Sequence, residues 1–180
     1  MNTLSVDEYL RFDESSPVRH EYIAGQAFEM EGSNRRHGRI VRNLLLLLGE
    51  RLRGDPCEVL FSEIKVRLRV GQEEAFYYPD LMVAAKRLEG KATYLTQPKL
   101  IFEVQAPSTE VIDRREEAVN YRYISSLDEY VAVAQRSCKV TIYRRADRWA
   151  RQILTGIGNV AEFRSIELPL PLAQIYADVC

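Results

Sequence analysis

The chain has few histidines, few cysteines and no excess of charge. His20 and His37 are the two histidines, and Cys57, Cys138 and Cys180 the three cysteines, with no Cys-x-x-Cys pair. That scarcity argues against a zinc site, which draws on closely spaced Cys and His ligands. An odd number of scattered cysteines reads as reduced thiols, no disulfide and a cytoplasmic protein. The 25 basic and 26 acidic residues leave a net charge of -1. Any contact with nucleic acid must then come from a local patch, because there is no bulk positive charge. The longest apolar tract, "IVRNLLLLL", is broken by an arginine and falls short of the roughly 20 residues that span a bilayer. The opening "MNTLSVDEYL" lacks the basic and apolar segments of a signal peptide.

What is present suits one domain over residues 1–180. The length is 180 residues and 46% of them are hydrophobic, enough for a sizeable core. Ser5 and Glu8 have the spacing of a capping box, opening a short helix through Leu10. "HEYIAGQAFEME" alternates around Ala24-Gly25, as a β-hairpin does. From residue 35 to about residue 53, Ile40, Val41, Leu44, Leu45, Leu48 and Leu52 make a helical stripe, stopped by Gly54 and Pro56. Residues 58–70 and 76–84 read as strands joined by a connection at 71–74, and residues 100–105 as a third strand. A helix is expected from Thr109 to about Tyr123, then strands at 130–134, 139–143 and 149–154, and a short closing helix. This order favours an α/β or α+β fold with one central mixed sheet.

Two acids interrupt those apolar strands: Asp80 in "FYYPDLMVAA" and Glu103 in "KLIFEVQAPST". A carboxylate in an apolar run must be paired, neutralised or bound to a metal, because desolvating a bare charge is costly. Two acids on strands suit Mg²⁺, a hard ion that takes one or two carboxylates plus waters and phosphate oxygens. Gln105 shares a strand face with Glu103, while the Val104 side chain points the other way. On spacing alone, the pair fits either a metal site or an internal role holding arginines and backbone N–H groups.

At these residues the chain resembles the Uma-two family of restriction endonuclease-like proteins, within the PD-(D/E)XK nuclease superfamily. The motifs are "YYPDLMV", "KLIFEVQAPST" and "DRREEAVNYRYISSLDEYVAV". Glu21-Tyr22, Gly25, His37 and the terminal Ile175-Tyr176 fall in the family's order. The resemblance implies a mixed β-sheet flanked by helices and a DNA substrate. It implies Mg²⁺ or Mn²⁺ held by Asp80 and Glu103, with Val104 between the site strand's polar positions, and a homodimer. In the superfamily a lysine two residues beyond the acid positions the attacking water; here that residue is Gln105. Relatives carry a lysine on the next helix instead, and here that position reads Glu117.

Lys65, two residues from Glu63 on a polar strand face, is the candidate substitute for the missing lysine; its other reading is a solvated edge charge. His37 at a helix start is a phosphate contact or an exposed polar residue. Arg114 and Arg115 line a DNA groove or a solvated helix face. Glu21 is an additional site acid or a turn stabiliser. Two functions follow: a Mg²⁺-dependent endodeoxyribonuclease, or a catalytically weak nuclease-fold module that binds DNA or a protein partner.

Overall fold

The computed structural model describes residues 3–30, 32–86, 92–105 and 119–179. Helix α1 (Val6–Ser15) opens on the expected capping box. Glu8 N–H donates to Ser5 Oγ at 3.3 Å and Ser5 N–H to Glu8 Oε2 at 2.8 Å, satisfying two otherwise unpaired donors. Strands β1 (His20–Ile23) and β2 (Gln26–Glu29) form the expected hairpin, with Tyr22 opposite Ala27. Its turn residues Ala24 and Gly25 have φ of 49° and 89°. That handedness matches the strand twist. A Cβ on Gly25 would stand 2.9 Å from Thr3 Cβ, so a side chain is excluded there as well as strained. Helix α2 (Arg35–Arg51) starts on an Asn34 cap and buries Ile40, Leu44 and Leu48, four residues apart and so on one face.

The two long strands expected at 58–70 and 76–84 each divide. The first becomes β3 (Glu58–Phe61) and β4 (Lys65–Val70), the second β5 (Glu73–Tyr77) and β6 (Leu81–Ala84). β3 pairs with β6, Phe61 opposite Leu81, and β4 with β5, Val66 opposite Tyr77. The four segments are one long hairpin that bends at residues 62–64 and 78–80 and passes from one sheet into another. Pro79 falls at this corner, where its missing N–H and fixed φ suit a break in the ladder.

In place of one central sheet there are therefore, among the described residues, two large sheets and a two-stranded ribbon. The smaller has the order β2-β1-β5-β4-β7, with β7 at Tyr94–Leu95. The larger has the order β11-β10-β9-β8-β6-β3. It comprises β8 (Pro98–Gln105), β9 (Glu129–Ala134), β10 (Lys139–Arg144) and β11 (Arg151–Thr155) beside β6 and β3. It is mixed: β8 and β9 run parallel, the remaining neighbours antiparallel. A ribbon of β12 (Val160–Phe163) and β13 (Leu168–Pro171) leads into a short α3 (Leu172–Ile175).

Alternation along β8 builds two cores. Leu100, Phe102 and Val104 face α2, the ribbon and α3, whereas Ile101 faces the smaller sheet. Tyr9 of α1 packs with Tyr22 and Phe76 on the other side of that sheet. One buried ion pair ties the ribbon to the larger sheet. Arg144 Nε donates to Glu129 Oε1 at 2.7 Å, and Ser165 N–H donates to Glu129 Oε2 at 2.8 Å. Burial of these charges is tolerable because both ends have partners.

The helix expected from Thr109 falls mostly outside the described residues, and Tyr121–Tyr123 forms a 3-10 turn. Cys57 is a free thiol. Among the described residues, no helix is long and apolar enough to cross a membrane.

Candidate active site

The corner that divides the long hairpin also presents Asp80. Asp80 lies at the bend directly before β6, whose Leu81 pairs with Phe102 of β8. Its Oδ2 accepts from the N–H of Val104, the residue after Glu103, so the two acids stand at neighbouring strand positions.

Each carboxylate is held. Glu103 Oε1 accepts from the Tyr121 hydroxyl at 2.9 Å. Tyr121 is fully buried, and its ring meets Tyr77 edge-on at 5.6 Å. Asp80 Oδ2 accepts from Val104 N–H at 2.7 Å, and Asp80 Oδ1 lies 2.8 Å from His37 Nε2. His37, read from the sequence as a phosphate contact or an exposed polar helix start, touches Asp80 directly. It can do so because it sits in the first turn of α2, whose start points at the corner.

A polar chain holds that helix start in place. Asn34 Oδ1 accepts from the backbone of Arg36 at 3.0 Å and of His37 at 3.1 Å. Asn34 Nδ2 donates to Gln135 Oε1 at 2.8 Å, and Gln135 Nε2 points to the Val104 carbonyl at 3.4 Å. Gln135 N–H donates to the Gln105 carbonyl at 3.3 Å. Gln135 is missing from the sequence reading. Its partner Asn34 lies 101 residues away in the chain, and the one local signal was Asn34 as a helix cap.

Of the other sequence candidates, Glu21 reaches the corner: its Oε1 accepts from Tyr78 N–H at 3.1 Å, two residues before Asp80. Gln105 is half-buried at the end of β8, and the Val104 side chain is in the core. Lys65 is not brought to the pair. Its ammonium lies 2.6 Å from Asp13 Oδ2, and that oxygen also accepts from the Tyr78 hydroxyl at 2.5 Å. Glu63 is exposed, 3.8 Å from Arg19. Lys65, Glu63, Asp13 and Tyr78 line a cleft of about 360 Å³ that includes neither Asp80 nor Glu103.

Burial pushes the Asp13 carboxyl up, but hydrogen bonds from Lys65, Tyr78 and the His20 backbone outweigh it and hold Asp13 below the usual carboxylate range. Burial, then the bond to Asp13, pushes the Tyr78 hydroxyl up, so it stays a donor. Arg114, Arg115 and Glu117 lie outside the described residues. Two described arginines flank the Asn34–Gln135 polar chain in sequence. Arg35 follows Asn34, Arg136 follows Gln135, and both are exposed.

The donor chemistry fits a hard cation. Asp80 and Glu103 offer oxygens, and a carboxylate has about four lone-pair positions, so one bond per oxygen does not exhaust it. Among the described residues no group of three or more His, Cys, Asp or Glu could hold a metal. That excludes a closed, all-protein cage among them.

Residues 6–177 match the Uma2 family model, described as "Putative restriction endonuclease". Two relatives from Synechocystis sp. are similar over most of their length. The uncharacterized protein slr1290 is 31% identical over 175 residues, covering 96% of this chain and 91% of that protein. The uncharacterized protein sll1609 is 30% identical over 170 residues, covering 92% of this chain and 95% of that one. A solved structure, "a putative nuclease belonging to DUF820" from Anabaena variabilis, superposes with a TM-score of 0.76. At 14% identity over 98% of this chain and 99% of that one, this is a likeness of fold.

Proposed function

The chain belongs to the Uma2 family of restriction endonuclease-like proteins, and on that footing we propose that it is a metal-dependent endonuclease hydrolysing DNA phosphodiester bonds. The observation that carries this reading is the bond from Val104 N–H to Asp80 Oδ2, which sets one acid beside the strand that carries the other, Glu103. In this reading, Asp80, Glu103 and the Val104 carbonyl hold Mg²⁺ or Mn²⁺. The ion, when bound, polarises the phosphate and lowers the pKa of a bound water. The chain's own groups do the rest. Tyr121 and His37 orient the two carboxylates, Glu21 steadies the corner at Tyr78, and Arg35, Arg136, Arg114 and Arg115 are the candidate contacts to the DNA backbone. We place the enzyme in the cytoplasm as a homodimer, a two-fold arrangement matching the two strands of a duplex.

A second reading, a nuclease-fold module that binds DNA with weak or no cleavage, is favoured by one observation. Gln105 occupies the superfamily's lysine position, and Lys65 is engaged with Asp13.

Plasmid nicking with Mg²⁺ or Mn²⁺ decides between them. Metal-dependent nicking that falls at least about 10²-fold in both Asp80→Asn and Glu103→Gln supports the enzyme. DNA binding without nicking under either metal selects the module.

A further inference from the structure

The five-residue circuit around Asp80 has two members, Asn34 and Gln135, that hydrogen-bond to neither acid. Asp80 bonds to His37 of α2 on one oxygen and to Val104 of β8 on the other. Gln135, 4% exposed at the end of β9, closes the circuit by joining Asn34 at the start of α2 to the Val104 carbonyl. The amide orientations are forced. Asn34 Oδ1 already accepts two helix N–H groups, so its Nδ2 must donate outward. Gln135 must then turn its oxygen to Asn34 and its NH₂ to Val104. A helix cap alone would need neither.

From this geometry we infer that Asn34 and Gln135 are positioning residues: they fix the first turn of α2 against β8 so that His37 Nε2 stays on Asp80. The inference deepens the proposed site and rests on that reading for its purpose. Its test involves neither metal nor DNA, so either can fail while the other stands.

Two variants separate this role from folding. Gln135→Met keeps the side chain's length and its backbone bond to Gln105 but loses both amide contacts. Asn34→Ser keeps a good N-cap but cannot reach Gln135. The probe is nuclear magnetic resonance of ¹⁵N-labelled protein at one fixed pH, reading exchange of the His37 Nε2 proton with water. Asp80→Ala is the reference for a lost acceptor, and the His20 ring signals are the internal control. Wild type is expected to give a slowly exchanging proton. Each variant should exchange it about 5- to 10-fold faster, the equivalent of one lost hydrogen bond, with unchanged His20 signals. Melting midpoints should stay within about 4 °C of wild type. Wild-type protection in either folded variant overturns the inference. So does the absence of a protected proton in wild type, or a change at His20 equal to that at His37, which would mark general loosening.

Discussion

Lys65 Nζ lies 2.6 Å from Asp13 Oδ2, joining β4 of the smaller sheet to the α1 helix that covers it. Both side chains are almost fully enclosed, at 6% and 2% exposure. The pair is completed by the Tyr78 hydroxyl and by His20 N–H at 2.8 Å from Asp13 Oδ1. The lysine that stands closest in kind to a catalytic one is thus an anchor for α1.

Breaking one side of this pair should unfold more than it inactivates. Asp13→Ala leaves a buried ammonium without its partner and is expected to cost about 3–5 kcal/mol in urea unfolding. Lys65→Met should cost less, because Tyr78 and the His20 backbone still bond to Asp13. At temperatures where it is folded, its nicking should match wild type within about threefold. A loss of about 10² would return Lys65 to the catalytic machinery.

The pH dependence of this anchor follows from the Asp13 carboxyl, which titrates lower in the folded than in the unfolded chain. Its stabilisation is therefore complete above the unfolded value of about 3.9, and is lost as pH falls through the lower, folded value. The advantage of wild type over Asp13→Asn in urea midpoint should hold from neutral pH to about pH 4, then shrink below it. An advantage already gone at pH 6 would contradict this assignment.

Arg35 and Arg136 are exposed and each directly follows, in sequence, one partner of the Asn34–Gln135 bond. If they contact DNA phosphates, Arg35→Ala and Arg136→Ala should each weaken duplex binding similarly for all sequences. Each should also reduce the slope of log affinity against log salt by about 1. Fluorescence anisotropy across a salt series gives both numbers. An unchanged slope in both variants would remove the pair from the interface.

Local features of the fold were legible: the Ser5 capping box, the Ala24-Gly25 hairpin and the α2 stripe each depend on neighbours in sequence. The division of the long hairpin was not. Leu60 and Leu68 are equally apolar although they lie in different sheets, so hydrophobicity runs smoothly through the bend. Pro79 was its one local mark. The acids Asp80 and Glu103 stood out because charge in an apolar strand is unusual. Gln135 did not, because a polar residue after a strand resembles any loop entry. Its meaning depends on Asn34, which only the folded chain brings near. Lys65 was read as a substitute for the missing lysine or a solvated edge charge because its alternation with Glu63 and Arg67 is polar. The Asp13 beneath it belongs to a helix whose packing no periodicity reveals.

The two functional readings part most sharply at Gln105. It lies two residues beyond Glu103 on β8, and alternation puts the two side chains on one face of the sheet. It is half-buried, so a longer side chain there has solvent to reach into. In the nuclease superfamily that the sequence resembles, a lysine at this position is expected to orient the attacking water. A cation here would also draw on the negative charge of Asp80 and Glu103 without displacing Tyr121 or His37 from them. Gln105→Lys is therefore expected to raise Mg²⁺-dependent plasmid nicking by about 10- to 10²-fold, the range for a positioned catalytic group. The gain should vanish when Glu103→Gln is added, which separates it from tighter DNA binding through added charge. A gain that survives Glu103→Gln would mean that the new lysine acts on DNA affinity alone. No gain at all, with wild-type nicking already rapid, would mean that another group orients the water and that Gln105 is no deficit.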